Sequence, residues 1–289
     1  MGAVYKLRAR TYFHSPSAYM LIFISIIYIA IFGTIVTTNV AELSPEQAEV
    51  AGPIALANVF GIILTLLIMS SASYQFGFEF LDMKKSVLLR RIGASKVNKS
   101  AVVGSFILWA LTVLFIVVIF VFSLIAIFST ASGLLPNFNW EDVNWLALFV
   151  AIIIGALGSY TVAFFFVAVS NDTDTYNICS TLYFFAATAL GGLFGGGAHW
   201  MYIIGHLTPI GWTADLIQGA MNGDQIFHFG GYQTLVAPGT KYIEWGLSQA
   251  GGAPYLYNVA AWRATMDLIA PLIIVILAGG VALKKFKWD

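Results

Sequence analysis

Long apolar runs alternate along this chain with short stretches that hold most of its charged residues. A helix needs roughly 20 apolar residues to cross the hydrocarbon layer of a bilayer. Six runs meet or approach that length, at 18–38, 54–74, 101–128, 145–169, 177–194 and 265–283. The third is longer than an upright crossing requires, which predicts tilt or an extension beyond the bilayer. The pattern predicts an all-α integral membrane protein, a single transmembrane domain over 1–289 with six transmembrane helices.

Between the runs the positive charge is segregated. Twelve of the 14 Lys and Arg residues form three patches: Lys6, Arg8 and Arg10; Lys84, Lys85, Arg90, Arg91, Lys96 and Lys99; and Lys284, Lys285 and Lys287. The positive-inside bias puts all three in the cytoplasm. Both termini are then cytoplasmic, the number of crossings is even, and the predicted location is the plasma membrane. The connection 76–100 falls inside. The connections 39–53, with Glu42, Glu46 and Glu49, and 129–144, with Glu141 and Asp142, fall outside. The stretch 171–175 carries no basic residue and is placed inside by parity alone. Trp140, Trp145, Trp200, Trp212, Trp245 and Trp262 gather on the inferred outer side, as amphipathic aromatics do at an interface.

Two stretches differ from plain crossings. In 1–17, Tyr5, Leu7, Tyr12 and Phe13 intersperse with Lys6, Arg8 and Arg10, and Pro16 closes the segment. This predicts a short interfacial helix on the inner surface, the alternative being a disordered basic tail. Over 195–263, glycines at 195–197 break any helix, 199–207 is apolar but too short to cross, and Pro209 interrupts it. Short re-entrant helices between spans five and six on the outer side fit these lengths, because broken backbone is tolerated only against protein or water. A polar extracellular stretch follows at 222–258.

Composition mainly excludes. With 59 % hydrophobic residues, 10 % charged residues and a mean hydropathy of +0.84, the chain is too apolar for a soluble domain of this length. The zero net charge is a sum over segregated patches, and nothing supports a nucleic-acid partner. Cys179 is the single cysteine and reads as a small packing residue. No ionisable residue sits in the middle of a span, which disfavours a proton-coupled carrier, while Asn58 and Thr65 keep a sodium site open. Arg263 and Asp267 are spaced for a local i,i+4 ion pair. Asp172 and Asp174 read as a solvated turn. No metal pair, nucleophile elbow or phosphate-binding loop is present. The chain is therefore not read as an enzyme by itself and binds no cofactor of its own; ATP would have to act through another polypeptide.

Three ordered patterns carry a resemblance. They are Lys6-Leu7-Arg8-Ala9-Arg10-Thr11-Tyr12-Phe13-His14-Ser15-Pro16, closed by Ile31-Phe32-Gly33; Glu79 followed by Lys84-Lys85-Ser86-Val87-Leu88-Leu89-Arg90-Arg91-Ile92-Gly93-Ala94-Ser95; and Leu207-Thr208-Pro209-Ile210-Gly211-Trp212, continuing through Asp215, Leu216 and Ala220 to Gly223. With the six-span topology they cover nearly the whole chain, which resembles the permease subunit of type-2 ATP-binding-cassette exporters. Two features depart from that family: Gly93-Ala94-Ser95 stands where a Thr-Pro often precedes the Ser, and 222–258 is longer than usual.

The resemblance implies a dimer with a second permease copy or homologue. It also implies a separate ATPase subunit, carrying ATP and Mg, that docks on the 76–100 connection as a coupling segment. Glu79, Leu88, Leu89, Arg90, Arg91 and Ile92 are the coupling candidates. On a helix, Leu88, Leu89 and Ile92 would share one face beside two cations, able to fill a groove on a soluble partner; the plain alternative is a positive-inside anchor. The family likeness places spans two and five along the dimer axis. Asn58, Ser70, Ser73, Tyr74, Tyr183, Phe184 and Phe185 are then substrate-pathway candidates, with ordinary packing as the alternative. Ala151, Gly155 and Ser159 form a small-residue row suited to close helix contact. The implied function is export of an apolar or amphipathic substrate (lipid, peptide or drug) by alternating access. The rivals are a stand-alone channel or sodium-driven carrier, and a non-transporting scaffold or immunity protein.

Overall fold

The computed structural model describes residues 5–6, 10, 16–41, 45–86, 98–131, 138, 140–170, 172–190, 208–221 and 261–286. Among these, every regular element is helical. In chain order they are α1 (Pro16–Ala41), α2 (Pro45–Ser70), a π turn (Ser71–Phe78), α3 (Glu79–Lys85), α4 (Lys99–Ala126) with a π extension (Ile127–Ala131), and a single 3-10 turn (Trp140–Asp142). There follow α5 (Trp145–Val169), α6 (Thr173–Leu190), α7 (Pro209–Met221) and α8 (Ala261–Lys285).

Four helical stretches among the described residues are long and apolar enough to cross a membrane: Tyr19–Thr38, Val59–Lys85, Lys99–Thr130 and Trp145–Val169. On α1, Tyr19, Phe23, Ile27, Ile31 and Ile35 all point outward, an apolar surface that a soluble protein rarely leaves open. The chain is thus a helical membrane protein. The fifth and sixth apolar runs fall on α6 and α8, each beginning four residues before the expected span.

Local chemistry sets several boundaries. Pro16 opens α1, where its missing N–H costs nothing. Asn98 caps α4 by accepting from the Ser100 N–H at 3.1 Å, and Asn144 caps α5 by accepting from the Ala147 N–H at 3.1 Å. The second span is longer at both ends than the apolar run suggests. Helix begins at Pro45, takes in Pro53, and continues through the π turn and α3 to Lys85, so the expected 76–100 connection starts as helix. It can continue because Phe76, Phe80, Leu81 and Met83 are buried, leaving Asp82 and Lys85 as the exposed charges of α3. Hydroxyls within the apolar helices are satisfied on the carbonyl four residues back, as in Thr65 on Gly61, Ser105 on Ala101 and Thr161 on Leu157.

Helix α5 is the central post of the bundle, packed by α7, α8, the π turn, α2 and α6. Burial of apolar surface does not drive helix association inside lipid, so close packing has to. Gly155 and Gly158 supply it. A Cβ at Gly155 would strike the Thr213 side chain, and one at Gly158 would lie 2.9 Å from Pro209. Helix α7 therefore runs antiparallel to α5 from Gly158 back to Asn144, whose N–H donates to the Ala220 carbonyl at 2.9 Å. With 13 residues α7 is ~20 Å long, short of the ~30 Å hydrocarbon core.

The two ends of the bundle differ. At one end Trp140 stacks on Trp145 and meets Phe138 edge-on, with Phe60 and Phe122 against this group. At the other, Phe80 gathers Phe106, Phe164 and Phe286 at centroid distances of 4.8, 5.6 and 5.5 Å. All three lysines whose bonds are described next lie at this second end. Of the expected interfacial segment 1–17, Tyr5, Lys6 and Arg10 are described, together with Pro16 and Ser17, which belong to α1; the Tyr5 ring meets Trp109 edge-on at 5.4 Å, and its hydroxyl lies 3.3 Å from Thr112 on α4.

Candidate functional site

The stretch expected to receive a partner is flanked by lysines, and each flank is bonded to the ends of other helices. A helix leaves its last four carbonyls without intrahelical partners and carries partial negative charge there. The Lys84 ammonium donates to two carbonyls at the end of α5, Val167 at 3.0 Å and Ser170 at 3.1 Å. Lys85 donates to the Thr173 hydroxyl at the start of α6, at 2.6 Å. On the far flank, Lys99 donates to the Phe286 carbonyl, just past α8, at 2.7 Å. The ends of α5, α6 and α8 are thereby tied to the two roots of one connection.

Glu79, the first residue of α3, is buried at 7 % exposure between the π turn and this lysine layer. Leu88, Leu89, Arg90, Arg91 and Ile92 lie outside the described residues. The bonding role of Lys84 and Lys99 was not read from sequence, where Lys99 counted only as orienting charge and Lys84 as that and as part of the family-like pattern after Glu79. No spacing signal reveals it, since the partners are carbonyls 83 and 187 residues away.

Between α5 and α6, Asp172 acts as a helix cap. One carboxylate oxygen accepts from the Thr175 N–H at 2.7 Å and the other from the Thr175 hydroxyl at 2.8 Å. Those bonds, the backbone one first, hold its carboxyl below the usual range, with a smaller contribution from Lys85. Asp172 and Asp174 are exposed, as a solvated turn requires, but the stretch also forms the start of α6, where Thr173 is bonded to Lys85.

The pathway candidates among the described residues differ in burial. Ser70 and Ser73 are buried, and the Ser73 carbonyl accepts from the Tyr176 hydroxyl at 3.0 Å. Tyr74 is exposed and stacks on Phe78 at 5.7 Å. Tyr183 lies edge-on to Phe166 and Phe184, and with Phe184 it packs against Leu66, Met69, Ala187, Ile210 and Ala214. Phe185 points outward at 75 % exposure. The side chain of Asn58 lies outside the described residues. The structure thus brings Tyr183 and Phe184 together and leaves Tyr74 and Phe185 on the surface of the single chain. Among the described residues, no three His, Cys, Asp or Glu side chains gather within reach of a metal ion.

In comparisons with known proteins, no family model, no curated protein and no solved structure matches this chain.

Proposed function

We propose that this chain is the membrane permease subunit of an ATP-driven exporter, crossing the plasma membrane six times with both termini and the 76–100 connection in the cytoplasm. Helices α6 and α8 serve as spans five and six, and α7 is a re-entrant helix entering from the outer side. A separate ATPase, holding ATP and Mg, docks on the connection through Leu88, Leu89, Arg90, Arg91 and Ile92. A second copy or homologue completes the pathway, facing the exposed row Ile178, Leu182 and Phe185 of α6. The substrate is apolar or amphipathic, in keeping with a pathway that lacks fixed charge.

One observation carries this reading: the lysine bonds from Lys84, Lys85 and Lys99 to the ends of α5, α6 and α8. A push on a connection rooted this way moves three helices together, which is what alternating access by rigid elements requires.

Affinity purification of the tagged chain from its native membrane tests the proposal. Recovery of a soluble subunit bearing a phosphate-binding loop, together with vanadate-sensitive export in vesicles, is the expected result. Transport that follows an ion gradient with no ATPase attached would favour a carrier instead. Labelling of a cysteine placed at position 90 only from the exterior of intact cells would overturn the topology.

A further inference from the structure

A buried polar group without a partner lies where the π turn meets α5. Ser71 is 0 % exposed, Gln75 1 % and Tyr160 0 %. The Ser71 hydroxyl donates to Gln75 Oε1 at 3.0 Å and lies 2.9 Å from the Tyr160 hydroxyl. A serine hydroxyl has one proton, so with that proton on Gln75 the Tyr160 hydroxyl must be the donor to Ser71. Gln75 Nε2 is then left with no hydrogen-bond partner. Turning the amide over does not help. Nε2 would donate to Ser71, and Oε1 would become the stranded atom. A buried amide group with no partner forfeits its hydration and receives nothing in exchange.

We propose that the π turn holds a buried water-binding site, in which one water molecule accepts from Gln75 Nε2 beside Ser71 and Tyr160. The chemistry selects water. A surplus donor needs an acceptor, and at 1 % exposure Gln75 offers no approach to a cargo molecule. Water also needs two or more polar partners, and the Ser71 oxygen retains lone-pair capacity next to the amide. The widened ladder of a π turn is a place where water enters a helix, and such turns recur at functional positions. Ser159, beside Tyr160, is also buried with no hydrogen-bond partner. A helical serine can rotate onto the carbonyl four residues back, as Thr161 does, so the site rests on Gln75. It does not depend on the exporter reading.

Solid-state NMR of the full chain in lipid bilayers tests it, by magnetisation transfer from water to the Gln75 side-chain amide, assigned through its backbone correlations. The expected result is direct transfer to both amide protons. A resolved Gln75 amide that receives none would overturn the site. Thermal unfolding of Gln75→Met gives a second reading. An unchanged or raised midpoint, in a variant that also loses the bond from Ser71 to Oε1, means that the amide lies in a dry interior and the proposal fails.

Discussion

Gly77 sits in the π turn directly under Tyr176, and a Cβ there would occupy the position of the tyrosine hydroxyl and strike its ring. Tyr176 cannot easily yield, because it is buried and its hydroxyl is bonded to the Ser73 carbonyl. Gly77→Ala should therefore lower the thermal unfolding midpoint, with a cost of about 1–3 kcal/mol from overpacking. Gly280 provides the opposite case, since nothing lies within 4 Å of its Cβ position. Gly280→Ala should hold or raise the midpoint, by up to about 1 kcal/mol of helix propensity. Both glycines lie in apolar sequence, and neither letter distinguishes a close approach from open space. Gly155 was more legible, because its four-residue spacing from Ala151 and Ser159 marks one face of a helix; the row does not say that Thr213 is what meets it.

At the level of elements, the start of α6 depends on a titrating cap. The folded-state pKa of Asp172 lies below its unfolded value, so the cap contributes fully above roughly pH 4 and is lost as pH falls through the depressed folded value. Hydrogen-exchange protection of the first-turn amides of α6 should fall over that acidic window. Asp172→Asn keeps an acceptor but cannot titrate, and its protection should be flat across the same window. The lysine ties belong to this scale as well. Lys84→Met keeps the apolar stem and deletes both bonds to the end of α5, a loss of about 1–3 kcal/mol in unfolding stability. Lys84→Arg, which retains donors, should recover most of it. The helical nature of these segments and the bounds of α5 were readable from the apolar runs; the Asn98 and Asn144 caps were seen only in the structure. The continuation of span two through Glu79 to Lys85 was not, because charge at the end of an apolar run ordinarily signals exit from the membrane. Here Phe80 turns inward against Phe106, Phe164 and Phe286 and keeps the helix going.

For the whole molecule, the proposed function makes the 76–100 connection a lever. Leu88→Ala, Leu89→Ala or Arg91→Ala should reduce substrate-stimulated ATPase activity of the complex several-fold, with insertion and thermal stability kept, because these side chains are assigned to docking. Lys99→Met should instead uncouple ATP hydrolysis from export while the ATPase still binds, since it severs the tie to Phe286 and not the docking face. Measuring subunit recovery and export in the same preparation separates the two outcomes.

The sequence by itself determined the class of molecule. Runs of roughly 20 apolar residues have only one stable setting, a helix in lipid, and that information is local. It also determined where the positive charge collects. Only the tertiary structure decided what those charges touch, which glycines bear a neighbouring helix, and that Gln75 is sealed inside beside Ser71 and Tyr160. Apart from the local Ser71–Gln75 bond, these are pairings between residues tens to nearly two hundred positions apart, selected by close packing and by hydrogen bonds between helices, which no local pattern of letters encodes.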